Sequence, residues 1–383
     1  MRQPSEIPAV GSIWLPPAGD DAKKDDTMTK GIDPRLATQA PETRGGAARR
    51  ARSAALVLVA AFAGLAVSAY PQAAQAAPTA TTIATNVTAP RGGVVLVGAN
   101  GSSHYWFPDH LLGFCRLDPS AASPTGFAIN RTTCVLFVGG APKAAQIKAA
   151  QASYDPKTNF VYVPDMASRS VGIVRLHFDP HMDGGNGGMS ILHRTTFGPS
   201  CLGLQLPWGS AFGPDGNLYL SFKRSPQIVR VVNPHLTPTC ANVEWVGNAS
   251  DGKSAMALAF VGPDLWEADN VGLGVISGAT DAACTAGACD SFPLFTGEVA
   301  LPAALASDEL NQVLYVGDAT GIHALDVNNG SGPVLYQPIS SFVFGLAVDP
   351  KTLIVGGAPT LFGGADPSRG ILPLTGSLFR VLP

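Results

Sequence analysis

Four aspartates recur at the same point of a repeated pattern, directly after an apolar stretch rich in aromatic residues. They are Asp109, Asp165, Asp269 and Asp318. If these stretches are strands that end at one mouth of a shared channel, the carboxylates converge there and can bind Ca²⁺ or another divalent cation through oxygen. The alternative is that each carboxylate accepts hydrogen bonds from the amides of its own turn. Recurrence favours this structural role, because a catalytic residue rarely repeats.

Three further residues belong to the same predicted ligand-binding rim. His110 follows Asp109 and could act as a general base beside a carboxylate, although neighbouring residues of a strand point to opposite faces. Trp208 either stacks on a ligand or fills the core. Asn270 follows Asp269. No Gly-x-Ser-x-Gly elbow, phosphate-binding glycine loop or His-Glu-x-x-His motif is present in the sequence, so no catalytic residue is assigned.

The elements that must position these residues form a repeat through residues 90–383. Each copy has an apolar strand, a turn such as Asp-Pro or Pro-Asp-Gly, an aromatic-rich strand and then a third strand. The second-strand markers are spaced by 56, 57, 47, 49 and 39 residues: Trp106, Tyr162, Tyr219, Trp266, Tyr315 and Ile354. Repeats of this length with several strands predict an all-β, six-bladed β-propeller with four-stranded blades.

The last repeat lacks a fourth strand within the chain. Its predicted strands begin at Gly345, cover 353–355 and 377–381, and then the sequence ends. We expect residues 81–87 to supply the missing outer strand, which would close the ring and remove an exposed edge. A seventh blade hidden in the longer spacings, or a β-sandwich, are the alternatives.

Residues 48–76 have the three parts of a secretory signal peptide. Arg49, Arg50 and Arg52 precede an apolar run at 54–67, and Ala74-Gln75-Ala76 forms a small-x-small exit before Ala77. An uncleaved membrane anchor or a twin-arginine signal are the alternatives. Residues 1–47 are polar and rich in proline, which predicts a disordered extension or a start codon at Met28 instead. The propeller is then residues 77–383, secreted or held in the periplasm or cell envelope.

The cysteines agree with export. All six follow the predicted cleavage point, and an even number in an exported chain suggests disulfides. Proximity in sequence favours the pairs Cys115–Cys134, Cys201–Cys240 and Cys284–Cys289. Zinc is the competing interpretation, but no Cys-x-x-Cys pair is present.

Charge excludes one class of partner. The net charge is −3, and the 25 basic residues form no stripe in the mature region that could neutralise a run of phosphates, so we expect no nucleic-acid binding. The remaining partner is an unknown protein or small molecule. We expect a monomer without a membrane span after cleavage.

One segment resembles a known repeat family. Residues 207–220 run Pro-Trp-Gly-Ser-Ala-Phe-Gly-Pro-Asp-Gly-Asn-Leu-Tyr-Leu, which is similar to an NHL repeat, as are residues 161–165 and 314–318. The resemblance implies the superfamily of NHL-repeat and gluconolactonase-like six-bladed β-propellers. That superfamily includes binding modules, metal-dependent hydrolases and lyases, so it implies the fold more strongly than an activity.

The sequence departs from the enzymes of that superfamily. Gluconolactonase-like enzymes hold a cation with a Glu, Asn and Asp set, whereas Gly92-Gly93 and Trp208-Gly209 stand at matching positions here. The lyase pattern needs a central His and Glu, for which His323 and Glu267 are the candidates inside core strands. The sequence therefore predicts a secreted propeller that binds a ligand or protein on the rim of its channel. The alternative is a metal-dependent hydrolase, lactonase-like, or a lyase with a divalent cation at the channel mouth.

Overall fold

The computed structural model describes residues 77–109, 113–117, 127–128, 134–135, 150–165, 171–197, 201–236, 238–369 and 375–383. The chain divides into two units, Met1–Gln72 and Ala73–Pro383. The predicted extension and signal peptide lie outside the described residues. Within the described part of the chain, no helix has the length and apolarity needed to cross a membrane.

The second unit is a ring of six antiparallel sheets. Strand β1 (Thr79–Val87) belongs to the last sheet, and the first three sheets follow it along the chain. Blade 1 consists of β2 (Val94–Val97), β3 (Ser103–Asp109), β4 (Gly113–Leu117) and β6 (Cys134–Val135), with β5 (Phe127–Ala128) pairing in parallel with β1. Blade 2 consists of β7 (Ser153–Asp155), β8 (Phe160–Asp165), β9 (Val171–Asp179) and β10 (Gly188–Phe197). Blade 3 consists of β11 (Pro207–Phe212), β12 (Leu218–Phe222), β13 (Ser225–Val231) and β14 (Val243–Asn248).

The remaining blades repeat the same order of strands. Blade 4 consists of β15 (Ala255–Val261), β16 (Asp264–Asp269), β17 (Gly272–Ile276) and β18 (Phe292–Thr296). Blade 5 consists of β19 (Ala304–Asp308), β20 (Val313–Gly317), β21 (Gly321–Asp326) and β22 (Val334–Pro338). Blade 6 consists of β23 (Val343–Val348), β24 (Leu361–Ala365), β25 (Gly376–Leu382) and β1. In the described part of the chain, short 3₁₀ helices lie in the connections at Asp183–Gly185, Cys240–Asn242 and Pro350–Thr352.

The core lies between the blades. Trp106 and Phe114 of blade 1 pack with Val161 and Val174 of blade 2, and equivalent clusters join the other neighbouring blades. Because both faces of a blade are covered, β16 and β24 are buried almost throughout instead of alternating between apolar and polar residues. The outer strands β18 and β22 are mostly exposed. This arrangement confirms the predicted six-bladed propeller.

The ring is closed by the two ends of the described unit. Strand β1 pairs with β25 in antiparallel register from Thr79–Leu382 to Val87–Gly376, with two irregularities. Ile83 is only 1% exposed and belongs to a cluster that also contains Tyr105 of blade 1 and Phe362 of blade 6. The prediction that residues 81–87 supply the outer strand of the last blade is confirmed.

The second strand of blade 6 was predicted at 353–355, and that prediction is wrong. The strand is β24, and Ile354 and Val355 lie in an exposed loop with 60% and 84% exposure. The Asn311 side chain holds this loop, because its Nδ2–H donates to Ile354 O and its Oδ1 accepts from Gly356 N–H. Phe362 is the true marker and stands 47 residues after Tyr315. The aliphatic run at 353–355 has high strand propensity, but tertiary contacts override propensity here.

Disulfides join elements within the blades as expected. Cys201–Cys240 and Cys284–Cys289 are bonded in the structure. Cys115 is also disulfide-bonded, and its cross-strand neighbour in the β4–β6 pair is Cys134.

We expect Ile83→Ala to lower the free energy of unfolding by about 2–5 kcal/mol, because it leaves a cavity at the seam that closes the ring. Thr82→Ala, on the exposed side of the same strand, should change it by less than about 0.5 kcal/mol. Urea unfolding followed by circular dichroism measures both. Equal effects of the two substitutions would contradict the role of β1 as a buried closing strand.

Candidate channel-mouth site

Antiparallel pairing brings the start of each inner strand beside the end of the second strand. Arg91 N–H donates to Pro108 O, Ala303 N–H to Gly317 O and Asp366 N–H to Phe342 O. The predicted rim residues and the starts of the inner strands therefore share one end of the propeller. We call this end the channel mouth. A narrow pocket of about 10 Å³ opens there on residues from all six blades: Arg91, Gln151, Trp208, Met256, Ala303 and Phe344.

The four predicted aspartates end their second strands at this mouth, and each is completely buried. Asp109 Oδ2 accepts from Thr88 N–H at 2.7 Å. Asp269 Oδ1 accepts from Val271 N–H and Gly272 N–H, and its Oδ2 accepts from Ser250 Oγ–H. Such contacts tie the carboxylate both to its own turn and to the segment that arrives from the preceding blade. Asp165 also ends its strand, β8, with its side chain buried.

Asp318 shows the same pattern with an added histidine. Its Oδ2 accepts from Ala300 N–H at 2.8 Å and lies 3.1 Å from His323 Nε2, while Oδ1 accepts from Thr320 N–H and Gly321 N–H. Burial by itself would raise the pKa of Asp318, but the hydrogen bonds from His323, Ala300 and Thr320 hold it well below its usual value. His323 is thus bound inside blade 5, whereas Glu267 lies in blade 4.

The structure does not gather the acidic residues into one cluster. Among the residues that it describes, no group of three or more His, Cys, Asp or Glu side chains could hold a metal ion. His110 lies outside the described residues. Asn270 is exposed, and its Nδ2 is 3.5 Å from Asp251 Oδ2. The cation site at Asp109, Asp165, Asp269 and Asp318 stays a prediction.

Aromatic and cationic side chains dominate the mouth instead. The Phe342 and Phe344 rings lie 4.6 Å apart between centroids, and both are buried. Arg91 Cζ lies 4.4 Å from the centre of the Phe344 ring and 5.5 Å from that of Trp208. Lys223 Nζ lies 4.9 Å from the Trp208 ring, and Arg369 Cζ lies 5.2 Å from Phe342. Trp208 is partly exposed on the pocket, so it has both a packing role and a free surface.

Arg91 is the charged group at the centre of this arrangement. It is 8% exposed, and its Nε–H has no hydrogen-bond partner among the described residues. Desolvation lowers the pKa of Arg91 to about 10, although the negative charge of Asp366 acts in the opposite direction. The guanidinium therefore remains charged at neutral pH. The negative charge of Asp366 offsets only part of the free-energy cost of burying this positive charge.

Gln151 also lines the pocket and links two blades. Its Nε2–H donates to Leu258 O at 2.8 Å and its Oε1 accepts from Leu258 N–H at 3.0 Å. These two bonds connect the segment that leads into blade 2 directly to the inner strand of blade 4. The side chain is fixed through both polar atoms of its amide, so this part of the pocket lining is held in place.

Sequence reasoning placed Trp208 at the mouth and missed Arg91, Phe344, Lys223 and Gln151. One signal was present, because Trp208, Arg91 and Phe344 each precede a glycine at the start of an inner strand. At Gly345 a Cβ atom would collide with the carbonyl oxygen of Arg91, so glycine allows neighbouring inner strands to approach the axis closely. No pattern in the sequence indicated that Lys223 would lie near Trp208.

Blade 4 holds a second polar cluster, away from the pocket. Glu267 is fully buried, and its Oε1 accepts from Ser250 N–H at 2.7 Å, while Oε2 has no partner among the described residues. Gly274 leaves the space for this group, since a Cβ there would lie 2.5 Å from Ser291 Oγ and 2.6 Å from Glu267 Oε1. Burial raises the pKa of Glu267 to about 7, against the lowering effect of the Ser250 hydrogen bond.

The fold and mouth together define a six-bladed β-propeller whose channel mouth has a small pocket lined by aromatic side chains and Arg91. No family model and no curated protein matches the sequence. Similar solved structures include a gluconolactonase from Xanthomonas campestris at 14% identity and a TM-score of 0.52, covering 79% of this chain and 89% of that one. Another is a protein of unknown function from Bacteroides thetaiotaomicron at 10% identity and a TM-score of 0.51, covering 80% and 76%. At these identities the likeness is one of fold.

We expect the contribution of Glu267 to the free energy of unfolding to fall as pH rises from about 4.5 to about 7, because the unfolded state ionises Glu267 first while the native state keeps it protonated. Glu267→Gln removes this loss. The variant should be roughly 2–4 kcal/mol more stable than the parent at pH 8 and nearly equal to it at pH 4. Urea unfolding at both pH values measures the difference.

The matched control is Glu298→Gln, which neutralises an exposed carboxylate that follows β18. It should give the same small change at both pH values. A Glu267→Gln gain that is independent of pH, or a loss at pH 8, would contradict the buried neutral carboxyl.

Proposed function

We propose that this protein is an exported propeller that acts as a ligand-binding module, with its ligand at the channel mouth. The observation that carries the proposal is the buried Arg91 guanidinium, packed on Phe344 and Trp208 beside a pocket to which every blade contributes. Apolar and aromatic walls with a few convergent polar groups are typical of sites for small ligands. The partly exposed face of Trp208 offers a stacking surface at its edge.

Binding without metal chemistry is favoured by the lining of the pocket. Arg91 is the charged residue in that lining, and a positive group disfavours a divalent cation in the same space. The oxygens of Asp109, Asp269 and Asp318 that could coordinate a cation accept backbone hydrogen bonds. Displacing these bonds would loosen the turns at the mouth.

Export is part of the proposal and is supported by the two disulfides, which persist in oxidising compartments. If the signal peptide at 48–76 is cleaved as its small-x-small exit suggests, the mature protein begins at Ala77. N-terminal sequencing of protein recovered outside the cytoplasm tests this, and an intact Arg49-to-Ala76 segment would refute it.

The alternative function is a metal-dependent hydrolase, lactonase-like, or a lyase, and the fold shared with the Xanthomonas campestris gluconolactonase favours it. For the binding module we expect purified mature protein to carry Ca²⁺, Mg²⁺ and Zn²⁺ at far below one ion per chain. Its melting temperature should also be unchanged by EDTA. Elemental analysis and thermal denaturation measure these quantities. Stoichiometric metal together with destabilisation by EDTA would favour the hydrolase.

We expect small molecules that bind the protein to perturb Trp208 selectively. With tryptophan replaced by 5-fluorotryptophan, a panel of chemically diverse fragments can be screened by ¹⁹F NMR, and Trp208→Phe assigns the signal. Trp245 is the matched control, because it is partly exposed on the outer strand of blade 3 and bonds to Gly247 O. Fragments that shift Trp245 as often as Trp208, or none that shift Trp208, would refute binding at the mouth.

A further inference from the structure

We infer that the ligand is a small organic acid whose carboxylate enters the pocket and pairs with the Arg91 guanidinium, with an apolar body resting on Trp208. This inference rests on the proposed function and specifies the chemistry of the same site. It concerns the Arg91 side chain, whose Nε–H has no hydrogen-bond partner among the described residues.

The orientation of Arg91 restricts where a ligand can bind it. The Phe344 and Trp208 rings pack against the guanidinium, at 4.4 Å and 5.5 Å from Cζ. Cation–π contacts of this kind attract the charge of a guanidinium but supply no hydrogen-bond acceptor to its N–H groups. The Nε–H lacks a hydrogen-bond partner in the described part of the chain. A planar oxyanion in the pocket can accept two parallel hydrogen bonds from a guanidinium that lines it.

Arg91 is the charged residue that lines the pocket itself, whereas the buried aspartates at the strand ends are not among the lining residues, so the pocket favours an anion. Asp366 is the acidic group that acts on Arg91, but its Oδ1 already accepts from Ser368 N–H, Ser368 Oγ–H and Thr375 Oγ1–H. Lys223 and Arg369 add two further cations next to the aromatic side chains. A buried guanidinium whose charge is poorly compensated gains most from an ionic hydrogen bond, which is stronger than a neutral one.

The size of the pocket limits how much of a ligand can enter it. Its volume of about 10 Å³ is of the order of the space that one buried water needs. Gln151 lines the pocket, and its amide is held by Leu258 through both of its polar atoms. A carboxylate can insert one oxygen there while its apolar body rests against Trp208 and Met256. Inorganic phosphate has no apolar body to make this second contact.

The test uses the mature protein with 5-fluorotryptophan, titrated with sodium benzoate, its neutral isostere benzamide and inorganic phosphate. We expect benzoate to shift the Trp208 signal with saturation, and benzamide and phosphate to bind at least about tenfold more weakly, in line with a charge-assisted hydrogen bond. Arg91→Met should weaken benzoate binding by roughly 10- to 100-fold. Arg91→Lys, which keeps the charge but loses the planar fork, should fall between the parent and Arg91→Met.

The matched control is Lys253→Met, which removes one exposed positive charge from the segment that leads into β15 without touching the pocket. It should change benzoate affinity by less than about twofold, since an exposed charge is screened by salt. Circular dichroism and melting temperature identify any variant that does not fold. If Arg91→Met fails this check, Arg91→Lys carries the comparison.

Two outcomes would overturn the inference in distinguishable ways. Equal binding of benzoate and benzamide, or full benzoate affinity in both Arg91 variants, would refute the carboxylate while leaving a ligand site at Trp208. A Trp208 signal that no compound of the fragment panel shifts would refute the binding site together with the carboxylate.

Discussion

Burial between neighbouring blades is the interaction on which this protein depends, since no four-stranded blade can cover both of its own apolar faces. Trp106 of blade 1 is buried only because blade 2 packs against it, and the same holds around the ring. Until the ring closes, the first and the last blade each leave one apolar face exposed. Strand β1 closes it by pairing with β25 and by placing Ile83 in the same cluster as Tyr105 and Phe362. The ring therefore stabilises each blade through the others.

Closure also creates the mouth. Each inner strand begins near the axis, and close approach there selects residues that precede glycine, such as Arg91 and Trp208. Gln151 then links the segment before blade 2 to the inner strand of blade 4. The result is a small pocket lined by strands that the ring itself holds in place. Its chemistry can change through a few residues at the starts of the inner strands without disturbing the interfaces between blades.

Buried charge has two different solutions in this fold. The aspartates that end the second strands are satisfied internally, because backbone amides from their own turn or from the preceding segment donate to them. They stabilise the connections between blades. Arg91 is compensated by aromatic rings and by the more distant Asp366, with its Nε–H unpaired among the described residues. Glu267 avoids the cost of a buried charge by remaining protonated up to about neutral pH. Similar burial thus produces carboxylates satisfied by backbone amides, a cation packed on aromatic rings, and a carboxyl group that stays neutral.

The amino-acid sequence alone determined the repeat, the number of blades, the closing strand at 81–87 and the pairing of the Cys201–Cys240 and Cys284–Cys289 disulfides. These features follow from local spacing and from the requirement that edges be paired. The sequence misplaced the second strand of blade 6, because the exposed 353–355 run has the propensity of a strand and the glycine-rich β24 does not. Only the tertiary structure decided the site. Arg91, Trp208 and Phe344 are separated by more than a hundred residues each and meet because the ring brings its first, third and sixth blades to one axis.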